Sequence, residues 1–164
     1  MGCGSVGLEV AKRLKAFGTK VYGVGRRKIE SPYVDESFTL CELDDLLKKS
    51  DIVILSIALT EETKYLFNKD RFNAMKNDVV LVNISRGQVI QEIDLEESLE
   101  NGKFMGVALD VMEQEPLPRV SKLWENDRVI VTPHNSFISD KTRKRLFDII
   151  KKNLNVLIKN GVKI

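Results

Sequence analysis

Histidine and cysteine are nearly absent: 164 residues hold one histidine, His134, and two cysteines, Cys3 and Cys41, with no ligand-like spacing. That scarcity excludes a disulfide framework and predicts no bound metal, and it suits a reducing cytoplasm. No apolar run approaches the roughly 20 residues that span a bilayer, and the N-terminus lacks the charged-then-apolar pattern of a secretory signal. A cytosolic setting without a membrane is therefore expected. Nor is there an excess of one charge. Twenty-six Lys and Arg face 24 Asp and Glu, a formal +2, spread along the chain apart from Arg26-Arg27-Lys28 and the C-terminal lysines, so nothing demands nucleic acid or an anionic surface. Internal repeats, low-complexity tracts and linkers are also lacking.

What is present is an alternation of short apolar runs with longer amphipathic stretches, the pattern of βα units feeding a parallel sheet, at a length suited to one domain, 1–164. The fold class read from it is α/β, a Rossmann-type doubly wound parallel sheet. A helix is predicted over Gly7–Phe17, with Val6, Val10, Leu14 and Phe17 near one face and Gly18 ending it. Strand Lys20–Val24 follows, then a loop through Pro32. Thr39-Leu40-Cys41-Glu42 has the form of a capping box before a helix through about Lys49. Asp51–Leu55, Val79–Val82, Phe104–Leu109 and Arg128–Val131 read as strands. Asn68 caps a short helix to Met75, and Glu92–Glu100 is a helix closed by Asn101-Gly102. A long basic amphipathic helix is predicted over Ser139–Lys159, with Leu146, Ile149, Ile150, Leu154, Leu157 and Ile158 on one side.

The chain opens on Gly2-Cys3-Gly4-Ser5-Val6-Gly7 at the start of the first helix. In Gly-x-Gly-x-x-Gly the first glycine turns tightly, the second admits a pyrophosphate to the backbone, and the third lets helix and strand pack closely, while the helix N-terminus offers N–H donors. The strand that should lead into this loop is missing, apart from Met1. It is central in the doubly wound order, so its absence is expected to leave two parallel halves with unpaired backbone groups. Where NAD enzymes place a carboxylate for the ribose 2′-hydroxyl, this chain has Gly25-Arg26-Arg27. Guanidinium groups attract a 2′-phosphate, which favours NADP(H) slightly over NAD(H); a solvated basic turn that tolerates either cofactor is the alternative.

Arg86, Glu115 and His134 each follow a predicted strand and should reach the carboxyl edge of the sheet, where α/β proteins keep ligands. Taken singly, each has a simpler reading: Arg86 a surface cation, Glu115 one acid among Glu113-Gln114-Glu115, Asp110 a turn cap. Together with their flanking runs they carry a resemblance. Leu59-Thr60-Glu61-Glu62-Thr63, Val82-Asn83-Ile84-Ser85-Arg86-Gly87, Ala108-Leu109-Asp110-Val111 with Glu115-Pro116-Leu117, and Thr132-Pro133-His134 resemble, in order and spacing, the D-isomer-specific 2-hydroxyacid dehydrogenase family across essentially the whole chain.

That resemblance implies an NAD(P)-dependent oxidoreductase acting on a small 2-oxo or 2-hydroxy acid, as a homodimer. It implies that Arg86 grips the substrate carboxylate, that His134 is the general acid/base, and that Glu115 holds the other ring nitrogen. Asp110 accepts from the nicotinamide carboxamide. Ser5 and Val6 offer backbone N–H groups to the pyrophosphate beside Gly2, Gly4 and Gly7, and Ile84, Ser85, Arg86 and His134 lie at the nicotinamide end. Two positions depart from the pattern, Gln91 where an acid is usual and Asn135 where an aliphatic is usual. The family's substrate or lid domain is missing from this stretch, so 1–164 reads as the cofactor domain truncated at its N-terminus and is expected to be inactive or feeble alone. From another class, a corepressor-like NAD(H) sensor or an assembly module would need none of the Arg86, Glu115 and His134 chemistry.

Overall fold

The apolar runs become six parallel strands and the amphipathic stretches become helices in a computed structural model that describes residues 1–159. Its contacts fall into two units, Met1–His134 and a second beginning at Asn135.

In the first unit, helix α1 (Ser5–Ala16) leads to β1 (Tyr22–Gly25), which pairs in parallel with β2 (Glu36–Thr39). Helix α2 (Leu43–Leu47) leads into β3 (Ile52–Leu55), α3 (Lys69–Ala74) joins β3 to β4 (Val79–Asn83), α4 (Glu92–Glu100) joins β4 to β5 (Phe104–Leu109), and a segment with a 3-10 turn leads to β6 (Val129–Val131); the four strands lie side by side in that order. Met1 and Gly2 sit between the two sheets. The Gly2 amide donates to the Val24 carbonyl at 2.9 Å, the Ser56 amide donates to the Met1 carbonyl at 3.0 Å, and the Met1 ammonium donates to the Ile54 carbonyl at 2.6 Å. Across the molecule the order is thus β2, β1, Met1–Gly2, β3, β4, β5, β6, with Met1–Gly2 in the place of the central strand of a doubly wound sheet. Beside them a cleft of about 350 Å³, lined by Val10, Leu14, Val24, Leu46 and Val53 among others, runs along β1 and β3.

The core packs α2, α3 and α4 onto the four-stranded sheet. Leu43, Leu55, Phe72, Leu81 and Phe104 are fully buried, and the Phe72 and Phe104 rings meet edge to face at 5.5 Å. Each such side chain contributes about 1.5–3 kcal/mol through area removed from water.

Several boundaries differ from expectation for identifiable reasons. Helix α1 starts at Ser5, two residues early, because Gly4 in extended geometry serves as its N-cap. Of the four residues expected near one face, Val6 and Phe17 are exposed and Val10 and Leu14 are half-buried against the cleft, beside Ala11, the one buried residue of α1. The Thr39 capping box forms, Glu42 Oε2 accepting from the Thr39 amide at 2.8 Å, but it opens a 3-10 turn (Leu40–Glu42) before α2. Strand β2 was not expected, since Glu36-Ser37-Phe38-Thr39 offers one apolar side chain and takes its conformation from pairing with β1. Asn68 caps α3 as expected, its side chain accepting from the Arg71 amide, and Gly102 takes the positive φ of +73° that ends α4.

The second unit contains α5 (Thr142–Lys159), three residues shorter at its start than expected. The Ser139 amide donates to Thr142 Oγ1 at 3.0 Å in the turn that precedes it. Its six predicted apolar residues are all exposed.

Candidate functional site

Sterics assign the three glycines of the first loop different tasks. Gly2 has φ +79°, and a Cβ there would overlap the Ser56 carbonyl; a Cβ on Gly7 would overlap the Gly2 carbonyl. A Cβ on Gly4 would meet nothing within 4 Å. Gly2 and Gly7 are therefore required by the protein's own packing, whereas Gly4 leaves open the space before the helix. Ser56, not foreseen from sequence, braces the loop, its Oγ lying 2.9 and 2.8 Å from the Met1 and Gly2 carbonyl oxygens. The first intrahelical bond is Leu8 N–H to Gly4 at 2.9 Å, so the amides of Ser5, Val6 and Gly7 precede it. No acidic residue in the first turn and no side-chain cap offset the positive end of α1. This arrangement fits an anionic phosphate. Arg26 and Arg27 lie exposed just beyond β1, and among the described residues neither guanidinium has a hydrogen-bond or ion-pair partner.

The second half of the site is set by strand register. Leu55, Asn83, Leu109 and Val131 are aligned across β3 to β6, so the segments after these strands emerge together at the carboxyl edge. After β4 the chain turns on Asn83, which is completely buried. Its Oδ1 accepts from the Ser85 amide at 3.0 Å and the Ser85 hydroxyl at 2.6 Å, and its Nδ2 donates to the Arg86 carbonyl at 3.1 Å. This pins Ile84, Ser85 and Arg86. After β5, Asp110 is 4% exposed; its amide donates to the Asn83 carbonyl at 3.0 Å and its Oδ1 accepts from the Thr132 hydroxyl at 2.6 Å. Asp110 is thus tied to both neighbouring loops and is more than a turn cap.

After β6, His134 adopts φ +50°, rare for a side chain other than glycine, in a tight turn where its amide donates to Thr132 at 3.0 Å. Its Nδ1 lies 2.8 Å from Glu115 Oε2, with the two side chains 37% and 35% exposed. The other oxygen, Oε1, accepts from the Met112 amide at 3.1 Å. Desolvation, the largest influence on the Glu115 carboxyl, pushes its pKa up. The His134 hydrogen bond, the Met112 amide and the His134 charge together outweigh it, and the net shift is downward despite opposition from Asp110. Glu115 and His134 are accordingly in contact. Arg86 shares their edge but not their hydrogen bonds: its Nη1 donates to the Ser85 carbonyl at 2.6 Å. Gln91, where an acid was expected, is the N-cap of α4 without a side-chain capping bond. Among the described residues no group of three His, Cys, Asp or Glu could hold a metal, and no helix is long and apolar enough to cross a membrane.

Residues 1–136 match the model of the NAD binding domain of D-isomer specific 2-hydroxyacid dehydrogenases. A glyoxylate reductase of Thermofilum pendens is 38% identical over 162 residues, covering 97% of this chain and 47% of the relative. That of Pyrococcus horikoshii is 35% identical over 161 residues, covering 98% of this chain and 48% of its own. Among solved structures, an NADPH-dependent glyoxylate/hydroxypyruvate reductase of Sinorhizobium meliloti in complex with NADP and sulfate superposes with a TM-score of 0.88 at 32% identity, covering all of this chain and 52% of the other. A probable 2-hydroxyacid dehydrogenase of Rhizobium etli in complex with NADP gives 0.87 at 32% identity, covering 99% and 52%. The chain spans about half the length of the curated relatives it matches. With a glycine-loop helix, a doubly wound parallel sheet and a Glu–His pair at the sheet's carboxyl edge, this chain belongs to the D-isomer specific 2-hydroxyacid dehydrogenase family and matches its NAD binding domain.

Proposed function

We propose that this chain, 1–164, is the cofactor domain of an NAD(P)-dependent oxidoreductase that interconverts a small 2-oxo acid and its D-2-hydroxyacid, as a cytoplasmic homodimer. The observation that carries this reading is the 2.8 Å Glu115–His134 contact, held at the same sheet edge as Arg86 and the Asn83 turn. A protein that only sensed nucleotide would not need that pair.

The amides of Ser5 and Val6 would hold the pyrophosphate over open Gly4, between Gly2 and Gly7. Asp110 would accept from the carboxamide, and Ile84, Ser85 and Arg86 would line the nicotinamide ribose. The nicotinamide, when bound, supplies or takes the hydride. Arg86 binds the substrate carboxylate and orients the 2-oxo group; to do so its guanidinium leaves the Ser85 carbonyl or shares it. With Nδ1 engaged by Glu115, His134 gives a proton to the substrate oxygen from Nε2 during reduction and takes it back in oxidation. Glu115 fixes the tautomer and stabilises imidazolium. NADP(H) is favoured by the unpartnered Arg26 and Arg27 guanidiniums and by the NADP-bound structural neighbours.

The test is turnover of glyoxylate, hydroxypyruvate and 3-phosphohydroxypyruvate by the protein that contains this chain, with each cofactor. His134→Gln should abolish turnover and leave cofactor affinity largely intact; Arg26→Ala with Arg27→Ala should weaken NADP(H) about tenfold or more and spare NAD(H). Tight cofactor binding with no turnover would favour the NAD(H)-sensing alternative.

A further inference from the structure

The loop that carries Glu115 has no regular secondary structure between β5 and Pro116, so its position is set by what holds it from outside. The hold comes from the segment after β4. The Met112 carbonyl lies so close to Gly87 that a Cβ on Gly87 would overlap it. On the same peptide unit, the Glu113 amide donates to Glu92 Oε2 at 3.1 Å. The Glu113 carboxylate acts on Tyr65, raising the pKa of its hydroxyl, and the Tyr65 amide donates to the Gln88 carbonyl at 2.7 Å. One residue back, the Met112 amide reaches Glu115 Oε1 at 3.1 Å, and Glu115 Oε2 reaches His134. Glu92 and Gly87 thus clamp the 112–113 peptide, and Glu115 hangs from its neighbour.

Glu92 holds this post where a carboxylate is disfavoured. Desolvation raises its pKa, the Glu113 amide opposes the rise, and the charges of Glu113 and Glu96 add to it. The first turn of α4 has another acid, Asp94, which accepts from the Lys69 amide at 2.9 Å, so the helix dipole does not depend on Glu92 alone.

We propose that Glu92 is a positioning residue for the acid/base pair: by holding the Glu113 amide it fixes the 110–115 loop so that Glu115 stays on Nδ1 of His134. The inference rests on the reading of Glu115 and His134 as that pair, but its structural half is testable without turnover. The hold requires an acceptor at the end of a glutamate-length side chain and does not require charge. Glutamine preserves it, whereas aspartate keeps the charge and falls one methylene short.

His134 is the only histidine, so the ring ¹⁵N shifts of labelled protein report its tautomer without ambiguity when the imidazole is neutral. The wild type and Glu92→Gln should show predominantly the Nδ1–H form. Folded Glu92→Asp and Glu92→Ala should shift toward the Nε2–H form, by at least about threefold in the tautomer ratio, as expected when a partner that fixes ring orientation is loosened. In the protein that contains this chain, kcat of Glu92→Asp should fall about tenfold or more with cofactor KM unchanged, while Glu92→Gln stays close to wild type. Wild-type tautomer ratios in both Glu92→Asp and Glu92→Ala would overturn the inference, whatever the turnover. A shifted tautomer with unchanged kcat would confirm Glu92's hold on the loop but remove the Glu115–His134 pair from the reaction, overturning the proposed function instead.

Discussion

Replacing Asn83 by alanine tests whether one buried amide organises the turn that carries Ser85 and Arg86. Asn83 is fully buried at the end of β4 and makes three hydrogen bonds, accepting from the Ser85 amide and hydroxyl and donating to the Arg86 carbonyl. The three are not equal. The Ser85 hydroxyl can rotate to another acceptor, and the Arg86 carbonyl keeps a second donor, the Val89 amide at 3.2 Å. The Ser85 amide, on a residue 4% exposed, has neither escape, and a buried donor left unpaired costs about 1–3 kcal/mol. Adding about 0.5 kcal/mol, the low end of the ordinary net loss, for each of the other two, replaceable bonds gives roughly 2–4 kcal/mol, a large part of the 5–15 kcal/mol typical of a domain. Urea unfolding of the 164-residue chain should show the midpoint falling by about 1–2 M at an unchanged slope. A cycle with Ser85→Ala should return a coupling of about 1 kcal/mol, because the two side chains share a bond. A loss below about 1 kcal/mol together with zero coupling would refute the reasoning.

The glycine loop separates folding from binding. Gly4→Ala should leave the melting temperature unchanged or slightly raised, since its backbone suits alanine and its Cβ meets only open space, yet weaken NAD(P)(H) about tenfold or more in calorimetry by obstructing the phosphate. Gly7→Ala should lose both stability and binding through overlap with the Gly2 carbonyl. Because the Glu115 carboxyl is held below its ordinary pKa of 4.5, its contribution to stability is fully present above that value and is lost as pH falls through the lower, folded value. Melting temperatures followed down from pH 6 should therefore drop more steeply below about pH 4.5 for the wild type than for Glu115→Gln; parallel curves would contradict the pairing.

The parts of this fold legible in the sequence are those with a local cause. The Thr39 capping box, the Asn68 cap, the Gly102 stop and the run Phe104–Leu109 each carry their signal within a few residues, and each stands where expected. Strand β2 carries no such signal, because its extension comes from pairing across to β1. Periodicity identifies helix α1, but how deeply its apolar residues are buried depends on what lies opposite, here a cleft lined by Val10, Ala11 and Leu14. At the site, motif order singled out Arg86, Asp110, Glu115 and His134, and register brings the segments that bear them to one edge. Ser56, Asn83 and Glu92 escaped notice as functional residues because their work is done on backbone groups that become neighbours only in the folded sheet.

The central claim, that His134 at this edge exchanges a proton as hydride moves between a nicotinamide and a 2-oxo acid, is tested most directly by isotope transfer. The protein that contains this chain is incubated with glyoxylate and nicotinamide cofactor deuterated at C4, and the product is read by NMR. Deuterium should appear at C2 of glycolate with the wild type, and transfer should fall by about a hundredfold or more with His134→Gln at equal cofactor occupancy. Equal transfer by both proteins would contradict the account.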